Sequence, residues 1–241
     1  MNLIIDVGNT KVKMAIFSRK RLLKKTSIPY NDIQDTLDAL LIQYPGLRKA
    51  ILASVGKSFS PAYQKLKGRV KLVKLDLETA LPFKNKYKTP RTLGVDRIAL
   101  IAAAAIKYPK VNTLVIDAGT CITYDFINRE NEYLGGAISP GIRLRYKSLN
   151  NLTANLPLLE TRTPRHYIGA STNASIHSGV INGVINEMEG VIDQYRSDWS
   201  DLTVILTGGD AKLLSKRLKN SIFANPNFLL EGLNYILEFN T

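Results

Sequence analysis

The sequence predicts an α/β protein made of two related domains, and three observations carry that expectation. The first is an internal echo: residues 3–17 read LIIDVGNTKVKMAIF and residues 114–127 read LVIDAGTCITYDFI. The second is the alternation of strand-like and helix-like runs, which argues for packed α/β layers rather than an all-α or all-β fold. The third is length: 241 residues exceed an ordinary single domain and suit two of roughly 100–130 residues.

The elements follow in order. In each copy of the echo an apolar run ends in Asp-x-Gly, passes a hydroxyl residue (Thr10 or Thr120) and returns as a second strand. Val12, Met14 and Ile16 alternate with Lys11, Lys13 and Ala15, while Ile122, Tyr124 and Phe126 alternate with Thr123 and Asp125. A period of two across a short polar turn predicts hairpins. Asn31 to Tyr44 reads as a helix with Ile33, Leu37, Leu40 and Leu41 on one face, followed by strands at Ala50 to Val55 and Val70 to Leu75. Leu81 to Thr92, with two prolines and four basic residues, reads as a loop. Val95 to Tyr108 is alanine-rich and apolar, a buried helix closed by Pro109. The domain boundary is placed there, giving residues 1–109 and 110–241. Gly135, Gly136, Pro140 and Gly141 mark a turn before a helix from Ile142; Ser178 to Tyr195 is a long helix, Leu202 to Leu206 a strand and Asp210 to Lys219 a helix.

Composition narrows the class. Hydrophobic residues make up 45% and charged residues 22%, ordinary for a globular chain. No apolar run approaches the length that spans a bilayer, the N-terminus has no leader-like pattern, and a single cysteine excludes an internal disulfide framework. The expectation is a soluble cytoplasmic protein without a membrane role. The net charge of +13 is dispersed along the chain and accompanies no nucleic-acid-binding signature, so nucleic acid is not the expected partner. A basic surface equally attracts an anionic nucleotide or a carboxylate.

The two Asp-x-Gly turns are the chemical signal. A tight turn between strands aims backbone N–H groups and hydroxyls at phosphate oxygens. Asn9, Thr10 and Lys13 supply donors, and Asp6 can hold Mg²⁺ directly or through water, since Mg²⁺ pairs one or two carboxylates with substrate phosphates. Asp, Gly and Asn also dominate plain hairpin turns; two copies at matching positions favour a duplicated phosphate clamp. A Walker-type loop is absent. Thr207-Gly208-Gly209-Asp210, between a strand and a helix, reads as an approach for a flat ring or ribose, or as a plain turn capped by Asp210. His166 and His177 lack companions at metal-ligand spacing. Cys121 has no neighbouring histidine and reads as a small apolar residue.

The ordered motifs DVGNT (6–10), YKTPRTLGVDR (87–97), DAGTCITYD (117–125), GGAISPG (135–141) and TGGDA (207–211) resemble those of the type III pantothenate kinases. The resemblance implies two actin-like, RNase H-like domains of the sugar-kinase–actin superfamily, facing one another across a nucleotide cleft. It implies transfer of the ATP γ-phosphate to pantothenate, the first step of coenzyme A biosynthesis. Asp6, Val7, Gly8, Asn9, Thr10, Lys11, Val12 and Lys13 would form the first phosphate loop, with Thr120 touching ATP from the second. Asp117 would bind a monovalent cation, K⁺ or NH₄⁺, alongside Mg²⁺. Tyr87, Gly94, Val95, Asp96, Arg97 and Thr172 would contact pantothenate, Asp96 also accepting the hydroxyl proton. Family members look like homodimers. From the residues alone Asp96 reads equally as the cap of a helix beginning at Arg97, and Arg97 as a partner for the substrate carboxylate, for the migrating phosphoryl group or for a surface ion pair. Arg143, Arg145 and Lys147 put more charge after Ile142 than the family pattern suggests. The rival expectations are a non-catalytic relative serving gene regulation and another enzyme of the superfamily.

Overall fold

The computed structural model describes residues 1–8, 10–54 and 60–241. The chain divides into two compact units, one of Met1–Pro109, Glu130–Leu134 and Asn227–Thr241, the other of Lys110–Arg129 and Gly135–Pro226. In chain order the first 109 residues give β1 (Asn2–Val7), β2 (Val12–Ser18), β3 (Arg21–Ile28), α1 (Ile33–Gln43), β4 (Lys49–Ser54), α2 (Ser60–Leu66), β5 (Lys71–Lys74), β6 (Lys84–Asn85) and α3 (Val95–Lys107). Then follow β7 (Thr113–Ala118), β8 (Cys121–Ile127), β9 (Glu132–Pro140), α4 (Ile142–Asn151), α5 (Thr172–Asp198), β10 (Thr203–Thr207), α6 (Ala211–Leu214), β11 (Phe223–Ala224) and α7 (Phe228–Phe239). Among the described residues no helix is long and apolar enough to cross a membrane.

The internal echo extends to topology. The first unit's sheet runs β3-β2-β1-β4-β5, and the second unit's strands run β9-β8-β7-β10-β11. In both, a first strand pairs antiparallel with its return strand and parallel with a later strand reached through helix, α1 before β4 and α4 with α5 before β10. The faces agree as well. Leu3, Ile5 and Val7 of β1 pack into a core with Ile33, Leu37 and Leu40 of α1. Leu114, Ile116 and Ala118 of β7 pack with Val180, Val184 and Met188 of α5. Because side chains alternate along a strand, Asp6 and Asp117 both project from the opposite face, one residue before the strand ends.

Helix α3 is alanine-rich because it is covered closely. Gly232 of α7 lies so near the Ala99 carbonyl and Ala103 that a Cβ there would collide. Small residues at such a crossing let the two backbones approach, and extra methylenes in a filled core force strain. Ala103→Leu is therefore expected to destabilise the protein by about 1–3 kcal/mol, read as a lower midpoint in urea unfolding.

Several boundaries differ from the expectations. The simple division at 109/110 put residues 227–241 in the second domain, whereas α7 packs on α3 and belongs with the first unit. The edge strand β3, Arg21–Ile28, was not anticipated; most of its side chains are solvated or only partly buried. The turn expected at Gly135 and Gly136 is part of β9; Gly136 stands where a Cβ would meet the Tyr124 carbonyl, so close backbone approach explains it. Helix α5 begins six residues early, at Thr172, because the Ser171 hydroxyl accepts from the Ala174 N–H at 3.3 Å and caps it. The helix expected from Asp210 to Lys219 shrinks to Ala211–Leu214, and the loop at Leu81–Thr92 contains β6, which pairs with Glu132–Tyr133.

Candidate functional site

In the first unit, β1 and β2 set Asp6 opposite Lys13 in register, with Lys13 Nζ 3.5 Å from Asp6 Oδ2. Asp6 is only 6% exposed. Burial pushes its carboxyl above the ordinary carboxylate value; Lys13 pulls it down, but not enough to offset burial and the nearby Asp96 carboxylate. The pair with Lys13, whose side chain is 43% exposed, is weakened by solvent, so the burial effect prevails. Lys25 on β3 is lowered by burial and by Lys13, a sign that cations crowd this edge. The turn is closed by the Gly8 N–H donating to the Lys11 carbonyl at 3.1 Å, and the Tyr30 hydroxyl donates to the Gly8 carbonyl. Thr10 and Lys11 are exposed, whereas Val7 and Val12 bury their side chains in the core and offer a ligand only backbone. Asn9 lies outside the described residues.

Helix α3 supplies the next group. It begins at Val95 with Gly94 as its N-cap residue, so Asp96 sits inside the first turn and is not the cap that the sequence suggested. Asp96 Oδ1 accepts from the Arg97 N–H at 2.9 Å. Arg97 is 5% exposed, which removes the surface-ion-pair reading. Its guanidinium lies 5.5 Å from the centre of the Tyr87 ring, a cation–π contact worth up to about 2 kcal/mol when desolvated. Tyr87 stacks on the fully buried Tyr133 at 5.9 Å between ring centres. Tyr133 was not anticipated; its only signal was its place just before the glycine pair, on a strand that the glycines concealed.

In the second unit Asp117 pairs in register with Thr123 of β8 and Thr207 of β10, bringing the second loop beside Thr207-Gly208-Gly209-Asp210. The Asp210 N–H donates to the Ala118 carbonyl at 3.0 Å. Gly208 has φ +98°, and a Cβ there would strike Asp117 Oδ1 and the Ala118 carbonyl; only glycine combines that backbone with that proximity. Asp210 occupies the N-cap position of α6 without a side-chain cap bond, and burial raises its carboxyl. Thr120 is exposed at the loop tip, its carbonyl accepting from the Gly141 N–H at 3.1 Å. A cavity of about 650 Å³ adjoins Gly209 and Asp210 and is lined by Lys212, Lys216 and Arg217. Thr172 lies apart from these loops in chain position, at the first turn of α5, and lines a cavity of about 790 Å³ with Arg145, Ser148 and Ile176. His177 Nδ1 is 2.8 Å from the Tyr146 hydroxyl. Among the described residues no group of three or more His, Cys, Asp or Glu side chains is arranged to hold a metal.

The oxygen donors fit the hard cations nonetheless. Asp6 and Asp96 act on one another as like charges, a repulsion that a divalent cation shared with phosphates would relieve. Asp117 Oδ1 lies beside the Gly208 backbone and the Ala118 carbonyl, a carboxylate-and-carbonyl setting suited to an alkali cation.

Residues 2–194 match the family model described as type III pantothenate kinase. The type III pantothenate kinase of Christiangramia forsetii is 54% identical over 240 residues, covering 100% of this chain and 99% of that protein. Among solved structures, one from Campylobacter jejuni described as a conserved Baf family transcriptional activator aligns with TM-score 0.66 at 21% identity, covering 99% of this chain and 98% of that one. The inorganic polyphosphate/ATP-glucomannokinase of an Arthrobacter strain aligns with TM-score 0.52 at 14% identity over the whole of both chains. At those identities the structural likenesses speak to fold alone: two sheets with helices.

Proposed function

The chain belongs to the type III pantothenate kinase family, and from that premise we propose how its residues divide the work of the reaction. The protein is a kinase that phosphorylates pantothenate with ATP in the first step of coenzyme A biosynthesis. The observation that carries the residue assignment is the convergence of Asp6, Lys13 and Asp96 at one end of β1, β2 and α3, with Arg97 and Tyr87 adjoining.

Phosphoryl transfer has a loose transition state, so positioning and charge neutralisation outweigh base strength. Thr10 and Lys11 offer backbone N–H groups and the Thr10 hydroxyl to phosphate oxygens, and Lys13 neutralises their charge. Thr120 makes the corresponding contact from the second loop. Asp6 would hold Mg²⁺, directly or through water, and Asp117 a monovalent cation; bound there, the cations offset the negative charge of the phosphates. Arg97, held near the Tyr87 ring, presents a fork suited to the pantothenate carboxylate. Asp96 accepts the proton of the primary hydroxyl as its oxygen bonds to the γ-phosphorus and the bond to the ADP oxygen breaks. Gly94 and Val95 shape the approach to Asp96, and Thr172 contacts the substrate from its cavity.

A homodimer suits the surface around Thr172. Leu152, Tyr167 and Ile168 are each about four-fifths exposed and lie close in sequence to residues that line that cavity, apolar side chains that a second copy would cover. A single free cysteine suits the reducing cytoplasm. The test is ADP release by purified protein with and without pantothenate, in K⁺, NH₄⁺ or Na⁺. Pantothenate-dependent turnover in K⁺ and NH₄⁺, reduced at least tenfold in Na⁺, is expected; equal rates in all three salts would remove the cation role of Asp117.

A further inference from the structure

Arg145 is one of the three basic residues that looked out of place after Ile142, and the structure gives it a specific set of contacts. Its Nε donates to the Pro140 carbonyl at 2.8 Å, and its Nη2 to Ser139 Oγ at 2.9 Å and to Glu187 Oε2 at 2.5 Å. Glu187, on α5, also accepts from the Tyr124 hydroxyl at 2.9 Å and from Ser139 Oγ at 3.1 Å. Both charged side chains are mostly buried, 22% and 29% exposed. Burial pushes the Glu187 carboxyl up, but the bonds from Arg145, Tyr124 and Ser139 together outweigh it and hold the group below its ordinary value. One guanidinium and one carboxylate thus tie α4, α5, β8 and the end of β9 together.

That strand end supports the second phosphate loop. The Gly141 N–H donates to the Thr120 carbonyl at 3.1 Å, and a Cβ at Gly141 would collide with the carbonyls of both Gly119 and Thr120. Residues 139–141 therefore form the floor on which the loop tip rests. We propose that Arg145, fixed by Glu187, is a positioning residue for ATP: it locks Ser139 and Pro140 so that Gly141 sets the height of Thr120. The inference rests on the reading that Thr120 contacts ATP. Stability alone would not explain the pair, since replacing a buried ion pair by apolar side chains is often neutral or stabilising. Geometry near a reacting phosphate is far less forgiving, a displacement of about 1 Å costing up to about 10²-fold in rate.

The test is steady-state kinetics, varying each substrate, for Thr120→Ala, Arg145→Met, Arg145→Lys and the double variant Thr120→Ala/Arg145→Met. Arg145→Met is expected to raise the KM for ATP about tenfold, the size of one lost hydrogen-bonded contact, and to raise it by more than the KM for pantothenate, although Arg145 also lines the Thr172 cavity. Arg145→Lys should recover part of that loss. Because the guanidinium acts through Thr120, the double variant should be no worse than Thr120→Ala alone. Multiplying effects in the double variant, an unchanged KM for ATP in Arg145→Met, or a shift confined to pantothenate would each overturn the inference. An unchanged KM for ATP in Thr120→Ala, with Arg145→Met still raised, would instead sink the Thr120 contact and the route through it. Should Arg145→Met not fold, Ser139→Ala removes one arm of the network; it is expected to raise the same constant two- to threefold, and no change would count against the proposal.

Discussion

Replacing Asp96 by asparagine is expected to leave a folded protein whose turnover falls by about 10²–10⁴-fold, the usual contribution of a positioned base. The structure separates the two parts of that expectation. Asp96 lies within the first turn of α3, while Gly94 holds the cap position, so the substitution removes no helix cap. The bond that Asp96 Oδ1 accepts from the Arg97 N–H is one an asparagine carbonyl can also accept. What asparagine cannot do is take a proton from the attacking hydroxyl. Circular dichroism should therefore match the parent protein and the melting temperature should be no lower, since the Asp96 charge adds to the cost of ionised Asp6, while coupled ADP release with saturating pantothenate should be nearly abolished. A variant that turns over at the parental rate would remove Asp96 from the reaction. One that melts several degrees lower would show that its role is structural after all.

What could be read in the chain beforehand was local and repeated. Both Asp-x-Gly hairpins show a period of two, and a period of two assigns faces; Asp6 and Asp117 thus fall on equivalent faces of two sheets that share a five-strand order, β6 being added at the edge of the second. Arg97 and Tyr87 could be named because they lie close in sequence. The features that escaped depend on distant partners or on solvated surroundings. Edge strand β3 carries lysines that resemble any exposed segment, and the first turn of α5 is polar, so its cap at Ser171 went unnoticed. Tyr133 stacks beneath Tyr87 from the far side of the chain's midpoint. Arg145 looked like one more charge on a solvated face because Glu187, its partner, is 42 residues away. Helix α7 packs against α3 through Gly232 and Ala99, a pairing that no periodicity within either segment could reveal.

Asp6→Asn is expected to cost at least about 10²-fold in kcat, comparable with removing one fixed electrostatic partner from a transition state, and at the same time to raise the melting temperature of the nucleotide-free protein. The second effect follows from the raised carboxyl. Burial, assisted by Asp96, outweighs the help of Lys13, so the folded chain binds the Asp6 proton more tightly than the unfolded chain does. The contribution of this group to stability is therefore fully present below the ordinary value of 3.8 and is lost as pH rises through the higher folded value. At neutral pH the ionised carboxylate is held at a cost to folding. Asparagine keeps the shape without that cost, so the gain in melting temperature over the parent should be largest near neutral pH and should fade on acidification toward pH 3.8. Adding Mg²⁺ and ATP should reverse the order, because the parent gains a ligand that the variant holds poorly and ligands that bind only the folded state stabilise it. If the variant melts lower at neutral pH without nucleotide, the ion pair with Lys13 dominates and Asp6 is a structural residue. If it melts higher yet keeps full activity, the strained carboxylate has no part in holding Mg²⁺. A more stable and nearly inactive protein is the outcome that ties the unfavourable burial of Asp6 to phosphate and cation binding.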